Sequence, residues 1–359
     1  MNRRSLLALL ASAPIGARLS GGGAAAQAAQ PSHPLAGPWA AYKAAHLDPS
    51  GRIVDRLQSE ASHSEGQGYA MTIAALMGDE DAFRLMYRWT EDNLAIRDDA
   101  LLAWRWLPDA ADPVPDPNNA TDGDLFYAWA LNHAASAFAA PDLRERAAAT
   151  VADIERLCIV DFPGQDGAFL MLPASFGFAT ETGFVINPSY YMLKAMTELG
   201  AAFGAGRLST SATNGDVLLA EIARHGPMPD WIEVTEAGLL KSDAFSLNSG
   251  YEALRVPLWM VWSGHAAHPA VLSAARARAA VDLPDGHAAT VLDYDTGAVL
   301  ETSPSSGYRA IEALTLCAAM REEGSTMPAF DAAQPYYPAT LQLFASLAQI
   351  ETLPECFPI

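Results

Sequence analysis

Residues 120–131 read A-T-D-G-D-L-F-Y-A-W-A-L, a short polar opening that passes without a break into an apolar helical run. Thr and Asp at such a place answer the free amide groups of a helix N-terminus, and the apolar residues behind them recur at helical spacing. The same design returns at S-E-G-Q (64–67), N-P-S-Y (187–190), S-G-Y-E (249–252) and S-S-G-Y (305–308). Each opening leads a predicted pair of helices: 67–77 with 81–94, 123–138 with 143–157, 189–203 with 217–225, 251–262 with 269–280, and 308–321 with 340–350. A further helix at 39–46 has no neighbour in sequence. Successive openings lie roughly 55 to 65 residues apart, the span of a helix pair with long loops. The pattern predicts an all-α toroid of helical hairpins. If the first member of each pair lines an inner ring, all those N-termini face one end, and the loops 97–119 and 159–187 wall a cleft there.

Composition narrows the function. The chain has 359 residues, 50% hydrophobic and 18% charged, which excludes a disordered or fibrous protein. A formal charge of −20 argues against nucleic acid or an anionic membrane as partner. The three cysteines, Cys158, Cys317 and Cys356, form no C-x-x-C pair, so no zinc ribbon is expected, and no bridge is assigned. Arg3 and Arg4, a short apolar run and a small-residue stretch ending near Ala29 have the three-part layout of an export signal. Residues 1–29 are therefore expected to be a signal peptide and 30–359 a single domain, secreted or periplasmic, without a membrane anchor.

The polar openings admit two explanations. Ser64-x-x-Gln67 and Thr121-x-x-Asp124 both fit capping boxes, which would leave Glu65, Asp122 and Asp124 as helix-end residues. The aromatics Tyr69, Trp104, Trp106, Tyr190 and Trp231 lie near the same loop ends, where rings stack on sugars and paired acids cut a glycosidic bond. Gly66-x-Gly68 lacks the rest of a dinucleotide loop, and no G-x-S-x-G elbow or phosphate-binding P-loop is present. His265 and His268 read as solvated surface residues.

The string at 120–131 resembles the signature of glycoside hydrolase family 8, and S-E-G-Q-G-Y at 64–69 resembles that family's general-acid motif. A-W-R-W (103–106), M-L-P (171–173), F-V-I-N-P-S-Y (184–190), P-D-W (229–231) and Y-E-A-L-R-V-P-L-W (251–259) follow in the family's order. The resemblance implies an (α/α)6 toroid and an inverting endo-β-1,4-glucanase that uses no metal or other cofactor. It further implies a β-1,4-glucan as partner and an association with a bacterial cellulose synthase complex. Residue by residue, it makes Glu65 the general acid, Asp122 the residue that holds the sugar at the cleavage point, and Glu252 the general base where the family carries Asp. Tyr69, Trp104, Trp106, Asp124, Tyr190, Trp231 and Arg255 are its candidate substrate-binding residues. Tyr127, Asn132 and Phe138 also depart from the signature. Chitosan, xylan or mixed-linkage glucan are alternative substrates. A weakly catalytic cellulose-binding role stays open because of the exchange at Glu252, and Asp243 is the next acid in sequence that can serve as base.

Overall fold

Helices buried on every side alternate with helices that bury one stripe, and this alternation builds the architecture. The computed structural model describes residues 33–242, 244–320 and 327–356, so the expected signal peptide and Asp243 lie outside the described residues. Among the described residues the helices are α1 (Ala36–His46), α2 (Ser64–Met77), α3 (Glu80–Asn93), α4 (Thr121–Ala137), α5 (Pro141–Leu157) and α6 (Leu193–Phe203). They continue with α7 (Gly206–His225), α8 (Arg255–Trp262), α9 (Pro269–Ala279), α10 (Ser306–Met320) and α11 (Tyr336–Thr352). In α2, 11 of 14 residues are buried, and in α8 all eight, which places these helices inside. In α3 and α5 the buried residues follow a single stripe, for example Leu143, Ala147, Val151 and Ile154, which places these helices outside.

The inner helices form a closed ring: α2 packs on α4, α4 on α6, α6 on α8, α8 on α10 and α11, and α11 back on α2. Helix α1 lies against α11, which supplies the neighbour it lacks in sequence. The arrangement is an (α/α)6 toroid. Its centre is filled by aromatic rings from the inner helices α2, α4, α8 and α11. Tyr69 meets Phe126 at 4.5 Å and Phe344 at 5.1 Å, and Trp259 meets Phe344 at 5.4 Å. These edge-to-face contacts make the centre a packed floor rather than a pore.

Glycine brings α2 and α4 together. A Cβ on Gly123 would lie 2.3 Å from Ser64 Oγ and 2.8 Å from the Glu65 amide nitrogen, and one on Gly68 would lie 2.9 Å from the Gly123 carbonyl. The two openings S-E-G-Q-G and T-D-G-D thus fit because neither has a side chain at the crossing.

Short antiparallel strands tie the loops to the rim. Strand β1 (Ser62–His63) pairs with β2 (Arg105–Trp106), and β3 (Ile159–Asp161) with β4 (Phe169–Met171). Strand β5 (Gly183–Ile186) pairs with β6 (Ile232–Thr235), which also carries β7 (Gly238–Leu240), and β8 (Ala288–Leu292) pairs with β9 (Val299–Ser303). The β5–β6 register, Ile186 opposite Ile232, sets the N-P-S-Y opening beside P-D-W. Cys317 on α10 is bridged to Cys356 near the C-terminus, and Cys158 is free and buried.

Several helix ends differ from expectation. Helix α7 begins at Gly206 rather than 217, because Leu208, Ser211 and Ala212 continue its buried stripe through a polar stretch. Helix α11 begins at Tyr336 rather than 340. Pro338 is its third residue, where no amide hydrogen is required. His268 is buried and accepts from the Ala270 amide at the start of α9, and so is no surface residue.

Candidate active site

The inner-ring N-termini converge on one guanidinium. Arg255, the first residue of α8, is fully buried, and its Nη1 donates to Glu65, to Asp122 Oδ2 at 3.1 Å and to Tyr69 OH at 2.9 Å. Its Nη2 donates to Glu252 and to Ser189 Oγ at 2.7 Å. The two Nη atoms of the fork therefore hold Glu65 and Glu252 on one guanidinium. Glu252 also accepts from Asn187 Nδ2 at 3.0 Å, and Glu65 Oε1 accepts from Tyr336 OH at 2.9 Å. Side-chain exposures of 21% for Glu65 and 33% for Glu252 leave both open to the cleft, whereas Asp122 at 3% lies in its floor.

No capping box forms at either opening. The N-cap of α2 is His63, with no side-chain cap bond, and Gln67 instead accepts from the Ile53 amide and donates to Thr90 Oγ1. The N-cap of α4 is Ala120, again with no side-chain cap. Glu65 is therefore turned toward Arg255, and Asp122 reaches Arg255 with Oδ2 while its Oδ1 accepts from the Gly123 amide at 2.8 Å.

Three carboxylates share one buried positive charge, which cannot balance them all. Burial raises the pKa of Glu65, offset in part by Arg255 and reinforced by the charge of Glu252. Burial likewise raises Asp122, with Arg255 opposing. Arg255 is desolvated too, yet the acid groups around it hold it firmly in the charged form. The site thus retains a proton on a carboxyl at a pH where a solvated acid would have lost it.

The cleft above these groups has a volume of about 420 Å³ and is walled by His63, Trp104, Tyr190, Tyr251, Tyr336 and Tyr337. Trp104 donates its indole N–H to Asp116 and stacks near His63 at 6.0 Å. A second, mostly apolar cavity of about 100 Å³ lies among α8, α9, α10 and the β8–β9 hairpin, and contains none of the acids of the cluster.

Of the residues singled out from the sequence, the structure brings together Glu65, Asp122, Glu252, Arg255, Tyr69, Trp104 and Tyr190. Tyr69 is buried behind Arg255 and holds it from below. Asp124 is not at the cleft. It is fully buried, with Oδ1 on the Leu102 amide at 2.7 Å and Oδ2 on Asn119 Nδ2 at 2.9 Å, so it anchors the 97–119 loop. Trp106 packs edge-on against Trp89 at 5.5 Å under Arg52, away from the cluster. Trp231 stands one ring beyond Tyr190, in a cluster with Phe178 at 5.7 Å and Phe245 at 4.7 Å. Sequence reasoning missed Tyr336 and Tyr337. They sit in P-Y-Y-P at 335–338, ahead of the helix expected from 340.

Residues 18–351 match the sequence profile described as glycosyl hydrolases family 8. This chain belongs to glycosyl hydrolase family 8. It is a glycoside hydrolase. Among its relatives is a protein described as a probable endoglucanase of Novacetimonas hansenii, 34% identical over 87% of this chain and 90% of that relative. Among solved structures, the endo-beta-1,4-glucanase CMCax from Acetobacter xylinum superposes with a TM-score of 0.77 at 31% identity, covering 89% of this chain and 98% of that one. An endoglucanase from Komagataeibacter sucrofermentans gives 0.77 at 30% identity over 88% and 98%. A reducing-end-xylose releasing exo-oligoxylanase, at 17% identity and a TM-score of 0.65, shares the fold.

The remaining departures from the family 8 signature have structural partners outside the cluster. The Tyr127 hydroxyl donates to Glu91, Asn132 accepts from Arg144 at 2.9 Å, and Phe138 packs on Phe83 at 5.6 Å.

Proposed function

We propose that this family 8 enzyme is an inverting endo-β-1,4-glucanase, with Glu65 as general acid and Glu252 as general base. The observation that carries the proposal is the placement of these two carboxyls on opposite ends of one buried guanidinium, open to an aromatic-walled cleft. Glu65 donates its proton to the glycosidic oxygen as the C1–O bond breaks. Water attacks C1 from the opposite face, Glu252 takes its proton, and the product anomer is inverted. The raised pKa of Glu65 keeps its proton available, and Asp122 in the floor receives sugar hydroxyls in the strained ring. Trp104 and Tyr190 offer faces on which glucosyl rings stack.

A signal peptide over 1–29, a single catalytic domain over 30–359, export and service of a bacterial cellulose synthase complex complete the proposal. Among the described residues no helix is long and apolar enough to cross a membrane. The bridge between Cys317 and Cys356, which persists in oxidising compartments, supports export.

The test is reducing-sugar release from carboxymethyl cellulose, with chitosan, xylan and mixed-linkage glucan alongside, and the product anomer followed by NMR. Glu65→Gln is expected to fold and to lose at least about a hundredfold in rate, the scale of general acid catalysis. Retention of more than about a third of the wild-type rate overturns the acid assignment. Binding of cellulose with no cleavage by the wild type favours an accessory role, which the longer Glu252 side chain would explain.

A further inference from the structure

Glu252 lies on neither a helix nor a strand but in the turn 251–254 that leads into α8, where the first backbone amides have no helical partner. Asp230, from the P-D-W segment, reaches into this turn. Its Oδ1 accepts from the Gly250 amide at 2.9 Å and from the Ala253 amide at 2.9 Å, the two N–H groups that bracket Glu252. Its own amide donates to the Asn248 carbonyl at 2.8 Å, so the segment is held from both ends. The approach requires glycine: a Cβ on Gly250 would stand 2.5 Å from Asp230 Oδ2. Other groups grip the neighbouring residues. Ser249 pairs with Leu292, and the Tyr251 carbonyl accepts from Tyr337 OH at 2.7 Å. Asp230 holds the backbone on either side of the Glu252 Cα.

We propose that Asp230 is a positioning residue for the reaction, fixing the 250–253 backbone so that the Glu252 carboxylate stays seated on Arg255 and Asn187 and open to the cleft. The inference rests on the assignment of Glu252 as base. A glutamate has one more rotatable bond than an aspartate, so its carboxylate is placed accurately only if its backbone is fixed. A displacement of about 1 Å at a catalytic group costs on the order of a hundredfold in rate. Both hydrogen bonds fall on one oxygen, so an asparagine side-chain carbonyl can accept them equally. Burial, opposed by these two amide bonds, raises Asp230 to about 6, so near neutrality its own charge is a rival source of function.

The experiment compares Asp230→Ala, Asp230→Asn, Glu252→Gln and the double variant Asp230→Ala/Glu252→Gln in the full chain. It measures kcat and KM on soluble β-glucan, thermal melting, and cello-oligosaccharide affinity in a Glu65→Gln background. Asp230→Ala is expected to lose roughly thirty- to a hundredfold in kcat with KM and oligosaccharide affinity within about threefold, and Asp230→Asn to stay within about fivefold of wild type. In the Glu252→Gln background, Asp230→Ala is expected to add less than about threefold, because the group it positions is gone. If Asp230→Asn is as inactive as Asp230→Ala while still folded, Asp230 acts through its charge and the inference is overturned. Equal losses from Asp230→Ala with and without Glu252 overturn it as well. Near-wild-type turnover by Glu252→Gln instead removes the base assignment itself. An inactive Glu252→Gln beside a fully active Asp230→Ala removes only the positioning role.

Discussion

Arg255 is the residue on which the site depends. Without it, Glu65 and Asp122 remain desolvated with no counter-charge, a condition that costs about 3 to 5 kcal/mol. Arg255→Met is therefore expected to melt well below wild type and to show no measurable turnover. Arg255→Lys keeps the charge but not the fork, so it cannot hold Glu65 and Glu252 together, and it is expected to fold with kcat reduced tenfold or more. Full turnover by the lysine variant would show that the bridge is dispensable. Asp124 gives a different test, because it lies outside the cluster. Burial, opposed by its bonds to Leu102 and Asn119, raises its pKa from 3.8 to about 7. A carboxyl raised on folding favours the native state fully at low pH, and that contribution is lost as pH rises from about 4 through about 7. Denaturant titrations between those limits are expected to show a shallower stability loss in Asp124→Asn than in wild type. An unchanged slope would mean that Asp124 is ionised throughout.

At the scale of elements, the catalytic geometry rests on the crossing of α2 and α4. Gly123→Ala places a methyl against Ser64 and the Glu65 backbone, so the two N-termini must separate and the Glu65–Arg255–Asp122 contacts must lengthen. The helices themselves gain propensity from the change, since alanine is favoured over glycine by roughly 1 kcal/mol. Far-ultraviolet dichroism is therefore expected to be preserved while kcat falls at least tenfold. Wild-type activity in this variant would show that the crossing has slack.

At the scale of the molecule, the bridge between Cys317 and Cys356 closes a loop across a sequence separation of 39 residues. Restricting a loop of that length in the unfolded chain is worth about 4 kcal/mol in the loop-entropy estimate. Neither cysteine lines the cleft. The double variant Cys317→Ser/Cys356→Ser is thus expected to unfold at a lower temperature while its folded fraction cleaves at the wild-type rate. Equal melting curves with and without reductant would show that the bridge contributes nothing.

The amino-acid sequence by itself determined the helical hairpins and the end of the toroid at which their polar openings gather. Both are local properties: apolar residues recur at the helical period, and a polar residue just ahead of such a run must lie at its N-terminus. Glu65 and Asp122 stand out as helix-opening acids for that reason, and the motif order singles out Glu252 just ahead of α8 and Arg255 at its first position. Only the tertiary structure decided which way each opening turns. Asp124 fits the same capping pattern as its neighbours yet anchors a loop, because its helical phase points it at Leu102 and Asn119 rather than into the cleft. Arg255 bridges three acids and does not serve Glu252 alone, since ring closure brings α2, α4 and α8 to one point. Tyr336 joins Glu65 from the far end of the chain, and Cys317 finds Cys356 and not Cys158. These contacts join residues far apart in sequence, and no local periodicity encodes which of them meet.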